Sequence, residues 1–410
     1  MTSTNGGLDS RTAWITACAS LAVLTISYGA PLIAVMALKP IAAELDTARA
    51  GPAGAGALTY IGGAFGGIVA GWLSGRLGVR WIVMFGGTMV AAGLVVAASG
   101  GLFHLYVGHG VLMGLLGNAC MFAPLLTYVS RWFERNRGSA VALISSGQAV
   151  AGGLWPPLIQ IGLDELGWRR TMMMFAVLVA IAIVTVAAIF LHPPPESSTP
   201  SVGTRGGPRR NPAMTGLPPN LIMITLMVAV FCCCVPMAMP MQHVVAYCGD
   251  LGFASQHGAA MLSVLLGSAF LARQFWGWLA DRIGAFHTLL CSSLVQATAL
   301  TGFLLTKDQA ALFAVSSAFG LGMAGLVPAY VIAIRECYRV EEAAWRIPLI
   351  LFAGSLGMAV GGWGAGLLYD RFASYLPAFG AGVAFNLVNL AILSLLVLRQ
   401  RGQDARLATA

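Results

Sequence analysis

Of the 23 lysines and arginines in this 410-residue chain, one stands well inside an uninterrupted apolar run. Arg273 precedes the polar end of its run, at Asp281, by eight positions, which is about 12 Å along a helix. A guanidinium that deep in an apolar phase costs about 2.5–3.5 kcal/mol even on the lenient insertion scale. Keeping it there asks for a task. Its planar fork of N–H donors matches a carboxylate bidentately, so binding an organic anion is the chemistry it suits. A structural arginine bonded to backbone carbonyls would meet the same cost without a ligand. Other polar side chains inside apolar runs are Tyr28, Asn118, Tyr128, Gln148, Gln274, Tyr330, Asn386 and Asn389. Of these, Tyr28, Asn118, Tyr128, Gln148, Tyr330 and Asn386 join Arg273 as candidate substrate-binding residues, each with the alternative of a satisfied packing role. His243 and Tyr247 lie at i and i+4, hence on one helix face. They are the candidate gating or proton-coupling pair, because imidazole titrates near neutrality; an interfacial polar pair is the alternative.

Other chemistries find little support. No nucleophile–base or metal constellation falls within the apolar runs, so an enzyme is not expected. The eight cysteines show neither metal-ligand spacing nor a disulfide framework. Three of them, Cys232-Cys233-Cys234, are consecutive, so on a helix they point in different directions and read as small apolar filler. No G-x-x-x-x-G-K-[ST] loop occurs, which removes ATP-driven work by this chain alone. No metal or other cofactor is expected.

The elements that must position Arg273 follow from composition. The chain is 58% hydrophobic and 9% charged, with a mean hydropathy of +0.81, whereas soluble domains carry roughly 25% charged residues. Twelve apolar stretches are long enough to cross a bilayer: 14–37, 54–74, 81–99, 104–130, 138–163, 168–191, 220–247, 257–280, 286–306, 309–335, 344–368 and 375–398. The 51 glycines suit membrane helices that pack backbone to backbone. Prolines 31, 124, 156, 157, 236, 240, 328 and 348 interrupt the stretches and allow bends. Residues 192–219 are polar and proline-rich and read as a linker, dividing the chain into halves 1–191 and 220–398 with a tail at 399–410.

The net charge of +8 is a topology signal, not a nucleic-acid footprint. With the N-terminus inside, 16 Lys and Arg fall in cytoplasmic segments and six outside, at Lys39, Arg49, Arg169, Arg170, Lys307 and Arg371. That bias places both termini in the cytoplasm. The first stretch has no basic leader or small-residue cleavage site before it and reads as an uncleaved anchor.

The halves repeat. Gly71-Trp72-Leu73, Arg76 and Gly78 recur as Gly277-Trp278-Leu279, Arg282 and Gly284, and Asp164 recurs as Asp370, all at an offset of 206. Pro124 and Arg131 recur as Pro328 and Arg335 at 204. The expected fold is therefore an all-α membrane protein, twelve transmembrane helices in two pseudo-symmetric halves of six, with a site near the midplane as in carriers built from such repeats.

The segment Gly71-Trp72-Leu73-Ser74-Gly75-Arg76-Leu77-Gly78-Val79-Arg80 resembles the loop between the second and third helices of the major facilitator superfamily. Its second copy keeps Asp281 and Arg282, while Gly75 stands where the family usually has Asp. The resemblance implies a cytoplasmic latch at Arg76, Asp281 and Arg282; simple positive-inside anchoring is the alternative. A more specific similarity, to monocarboxylate and oxalate/formate carriers, rests on four groups of residues. These are Arg131-Trp132-Phe133 with Arg137-Gly138, Gly147, Gly152-Gly153 and Pro156-Pro157; Asp164 with Gly167-Trp168-Arg169; His243 through Tyr247 to Asp250-Leu251-Gly252; and Leu368-Tyr369-Asp370 through Tyr375-Leu376-Pro377-Ala378-Phe379. In those carriers an arginine at the place of Arg273 binds the substrate carboxylate, and the resemblance implies that role here.

Departures from the family matter as much. Ala269 stands where animal-type monocarboxylate carriers have an Asp one turn before the arginine, and Leu32 where they have a Lys after a Ser-Tyr-x-x-Pro stretch. No second cation lies between Leu349 and Tyr369, and the counterpart of Arg273 by offset is Gly67. One cation suits a monocarboxylate. The function expected is secondary or facilitated transport of a small organic anion by alternating access, with protons or a counter-anion as the coupled species. A carrier or exporter of another solute, or a receptor that binds without transporting, are the alternatives. The expected setting is a bacterial-type inner membrane, with lipid around a functional monomer.

Overall fold

The computed structural model describes residues 7–193 and 217–408. The expected linker 192–219 lies outside the described residues apart from its two ends. Every regular element among the described residues is helical. In chain order these are α1 (Arg11–Met36), α2 (Leu38–Glu44), α3 (Ala50–Leu77), α4 (Val79–Ser99) and α5 (Leu102–Tyr106). A π-helical stretch, Val107–Gly117, and a 3-10 turn, Asn118–Cys120, lead into α6 (Phe122–Ser130), α7 (Arg137–Ser145) and α8 (Gly147–Phe190). The remainder is α9 (Pro219–Asp250), α10 (Ser255–Ile283), α11 (Ala285–Leu305), α12 (Gln309–Met323), α13 (Leu326–Cys337), α14 (Val340–Phe372) and α15 (Leu376–Ala408).

By length and apolarity ten helices can cross a membrane, or eleven if the bent pair Ala50–Gly67 and Val69–Leu77 is one span. The sequence leads one to expect twelve. The bent pair accounts for one of the missing spans, and a second merging is at Gly167. Ser139–Phe190 counts once as 52 continuous residues, about 78 Å of helix against a core of roughly 30 Å. Gly167 breaks it with φ 74° and ψ 167°, and the arms on either side each have membrane-crossing length.

Packing divides the chain into two units, Met1–Thr47 with Gly54–Arg205, and Ala48–Ala53 with Gly206–Ala410. In the first, α1 and α4 lie along α8, and α4 also packs on the π-helical stretch. In the second, α9 lies between α14 and α15, and α10 and α11 flank α12. Close approach of backbones requires glycine in both. A Cβ on Gly62 would run into the Gly110 carbonyl oxygen, and one on Gly361 would run into that of Val235. Such contacts take the place of a hydrophobic drive between helices that lipid cannot provide. Large apolar side chains point outward all along the molecule, among them Leu305, Phe103 and Leu271, as a lipid-facing surface demands.

The repeat seen in the sequence reappears in the backbone. Gly78 and Gly284 have φ 82° and 81°, and Asp46 and Gly252 have φ 48° and 84°; each pair is separated by 206 residues. The sequence offset falls to 204 by Pro124 and Pro328, so the first half carries two extra residues there. The wider π-helical turn of Val107–Gly117, which takes more residues per turn, lies in that interval, where the second half has plain α12.

Candidate functional site

Arg273 sits on α10, half-buried, beside a stripe of buried residues spaced three and four apart: Leu262, Leu265, Leu266, Ala269, Ala272, Trp276 and Ala280. Two features fix the orientation of this helix. The Trp276 indole donates to the Leu321 carbonyl at 2.7 Å, and Gly320 brings α12 so close to the backbone of Leu265 that a Cβ would collide with its oxygen. Gln274, next to Arg273, is exposed.

Tyr330 and Asn386 lie in a closed buried network. Tyr330 donates to Asn389 Oδ1 at 2.7 Å, and the Asn389 amide donates to Ser293 Oγ at 2.7 Å. The Ser293 hydroxyl donates to Asn386 Oδ1 at 2.9 Å, and the Asn386 amide donates to Gln296 at 2.7 Å. All five residues are fully buried, so in this structure these polar atoms serve one another. In the first unit, the Ser27 hydroxyl donates to Asn118 Oδ1 at 2.6 Å, and the Tyr28 ring meets Phe122 edge-on. Tyr128 is buried and donates to the His192 carbonyl at 2.5 Å. Gln148 is half-buried on the first turn of α8.

His243 is fully buried on α9. Its Nε2 lies 2.7 Å from the Gly362 carbonyl and its Nδ1 lies 3.0 Å from the Tyr375 hydroxyl. Tyr247 donates to the Phe303 carbonyl at 3.3 Å. The i, i+4 pair thus shares a face, yet its two members serve different partners.

Beside His243 is a charged cluster in which Asp250, Tyr369, Asp370 and Tyr375, all among the residues that carry the resemblance, gather around Arg49, which the sequence did not single out. Arg49 clamps Asp250 bidentately at 2.6 and 2.7 Å, donates to the Tyr375 oxygen at 3.1 Å, and lies 3.6 Å above the Tyr369 ring. The Asp370 carboxylate accepts the backbone N–H groups of Arg49 and Ala50, both at 2.8 Å, and so caps α3. Burial works hardest against the Arg49 charge, but the hydrogen bonds and charge interactions with Asp250 and Tyr375 together outweigh it and raise its pKa, so it stays protonated. Arg49 appeared in the sequence only as one of six outside cations. The available signal was that Asp250 and Asp370 lie 206 residues after the acids Glu44 and Asp164.

Arg76 and Arg282 each stack on a tryptophan one turn earlier, Trp72 at 4.0 Å and Trp278 at 4.1 Å, and Asp281 is exposed. Cys232, Cys233 and Cys234 are buried free thiols. A second cation is enclosed near a helix start, where the sequence counted it as a cytoplasmic-side charge. Arg346, at the start of α14, is 4% exposed, held between Tyr338 and Trp345 with Glu342 at 3.1 Å.

Comparison with known proteins agrees with this architecture. The chain is 29% identical to monocarboxylate transporter 13 of Bos taurus over 335 residues, 80% of this chain and 76% of that one. It is 27% identical to human monocarboxylate transporter 11 over 367 residues, 87% and 69% of the two chains. Among solved structures, a mutant form of the nucleoside transporter NupG superposes with a TM-score of 0.71 at 13% identity, covering 94% of this chain and 100% of that one. A peptide transporter POT in complex with sulfate gives 0.70 at 15% identity, covering 94% and 95%. The Major Facilitator Superfamily pattern matches residues 14–272 and 226–410, between them nearly the whole chain. With its repeated halves, lipid-facing helices and these relatives, the chain is a multi-pass membrane transporter and belongs to the Major Facilitator Superfamily.

Proposed function

We propose that the protein carries a small monocarboxylate or related organic anion by alternating access, with Arg273 as the substrate ligand. The observation that carries this reading is the half-buried guanidinium on α10, eight residues inside the polar end at Asp281. It is supported by the similarity to proteins named monocarboxylate transporters. A guanidinium in an apolar phase gains most from an anion that accepts two hydrogen bonds in one plane. Tyr28, Asn118, Tyr128 and Gln148 are proposed to add polar contacts, and Tyr330 and Asn386 to do so in a conformation that opens their network. Coupling proceeds by exchange with a counter-anion or by protonation at His243. The charge bias favours cytoplasmic termini in a bacterial-type inner membrane, with the monomer as the working unit.

The test is thermal stabilisation of purified protein by a panel of monocarboxylates, since a ligand that binds only the folded state raises its stability by mass action. Arg273→Gln removes a buried charge, so it should fold, yet lose both the stabilisation and uptake in proteoliposomes. Arg273→Lys keeps the charge without the fork and should bind weakly at best. Normal transport by Arg273→Gln would overturn the assignment; its misfolding would make Arg273 structural.

A further inference from the structure

The two halves meet the same electrostatic demand differently. In the first, the Glu44 carboxylate at the end of α2 is bound by the Trp168 indole and by Arg169 of the same unit. An offset of 206 takes Glu44 to Asp250 and Arg169 to Tyr375, so the second half keeps the acid and has a phenol in place of its cation. Arg49 supplies the missing charge. Its counterpart by offset is Ser255, so the substitution is one-sided.

Tyr375 ties this clasp to His243. A carbonyl only accepts, so the 2.7 Å contact with Gly362 puts a hydrogen on His243 Nε2. In the neutral ring Nδ1 is then a lone pair, and the Tyr375 hydroxyl donates to it at 3.0 Å. The phenol oxygen is thereby free to accept from Arg49 at 3.1 Å. Every group is satisfied, but only while the ring is neutral. A proton taken from water onto Nδ1 makes that nitrogen a donor. The Tyr375 hydroxyl loses its acceptor, its oxygen faces two donors, and an imidazolium stands near the Arg49 guanidinium.

We propose that proton uptake by His243 opens the Arg49 clasp, freeing the Ala48–Ala53 segment from Asp250 and Asp370. This rests on the reading of His243 as the protonatable residue and adds what the proton does. The charged and titratable groups around the ring are Tyr247 and Asp250 on α9, Tyr369 and Asp370 on α14, Tyr375 before α15, and Arg49 before α3. An imidazolium is repelled by the Arg49 cation and attracted by the Asp250 and Asp370 anions. Once Arg49 leaves, the two carboxylates remain to hold the imidazolium, so release reinforces itself.

Hydrogen exchange of the backbone amides in 48–53, corrected for intrinsic rates, tests this on the full-length protein without substrate. Protection of Arg49 and Ala50 should fall about tenfold or more as the His243 ring takes up its proton, an event followed by NMR in the same wild-type sample. His243→Gln should remove that step. Tyr375→Phe, which deletes one hydroxyl, should lower protection at neutral pH and abolish the step. Because the midpoint must coincide with ring protonation in the wild type, the proposal does not depend on any variant folding. A wild-type profile flat through the titration of the ring, or a step that survives in His243→Gln, would overturn it. With no carboxylate present, such a failure leaves the Arg273 reading standing, and failure of Arg273→Gln to lose binding leaves the clasp standing.

Discussion

Gly167 and Ala373 stand 206 residues apart, and both hold left-handed backbone angles, φ 74° and 49°. Each turns the chain between the fifth and sixth apolar stretches of its half, and Ala373 closes α14 by donating its N–H to the Tyr369 carbonyl at 2.7 Å. They share the sign of φ but not ψ, 167° at Gly167 and 28° at Ala373; glycine adopts either freely, and alanine holds the second, left-handed α state at a cost of about 1–2 kcal/mol.

The second half should therefore gain from the residue of the first. Ala373→Gly relieves the strain and loses part of that gain to the greater freedom of the unfolded chain, leaving a net stabilisation of about 0.5 kcal/mol. Gly167→Ala should destabilise by about 2 kcal/mol, because φ 74° with ψ 167° is a conformation essentially confined to glycine. Thermal unfolding of both variants in one detergent checks the signs; a lower midpoint for Ala373→Gly would mean that the turn does not govern stability there.

Tyr330 separates frame from site. Tyr330→Phe keeps the ring and strips the donor from Asn389 Oδ1, leaving a buried acceptor unmet at a cost of about 1–3 kcal/mol. The expected outcome is a lower unfolding midpoint. A variant as stable as the wild type but raised in substrate KM would place Tyr330 in the substrate path in another conformation.

Glu44 gives the fold an acid-sensitive contact. The Arg169 hydrogen bond, with help from Trp168 and against desolvation, lowers the pKa of its carboxyl. A folded-state pKa below the unfolded value adds stability above that unfolded value, near 4.3, and the contribution is lost as pH falls through the folded one. The pair is partly exposed, so solvent screens the effect and it should be small. Arg169→Gln should lower the unfolding midpoint at neutral pH and flatten its decline below about pH 5. An equal decline in both proteins would assign the acid sensitivity elsewhere, with Asp9 next in line. Burial opposes ionisation of Asp9, but the backbone N–H groups of Arg135, Asn136 and Glu134 prevail and lower its pKa.

Some of this architecture is written in local composition. A run of twenty apolar residues can only be a buried or membrane-spanning helix, and the 206-residue offset makes the second half a copy of the first. Arg273 is conspicuous for the same reason, because a charge in an apolar run is noticed without knowing its neighbours in space. Hydropathy cannot say which side of such a helix faces lipid, since both sides are apolar: Leu271 is exposed and Leu262 buried on the same α10. That choice waits for packing, and with it the enclosure of Tyr330, Asn386 and Arg346. Charge pairing is equally hidden. The partner of Asp250 is Arg49, about 200 residues away and counted in the sequence merely as an outside cation. Tyr375 joins them to His243 although no spacing rule relates the three. Coulombic and hydrogen-bond energies depend on distance in space, and the distances that make this cluster exist only once the helices have packed.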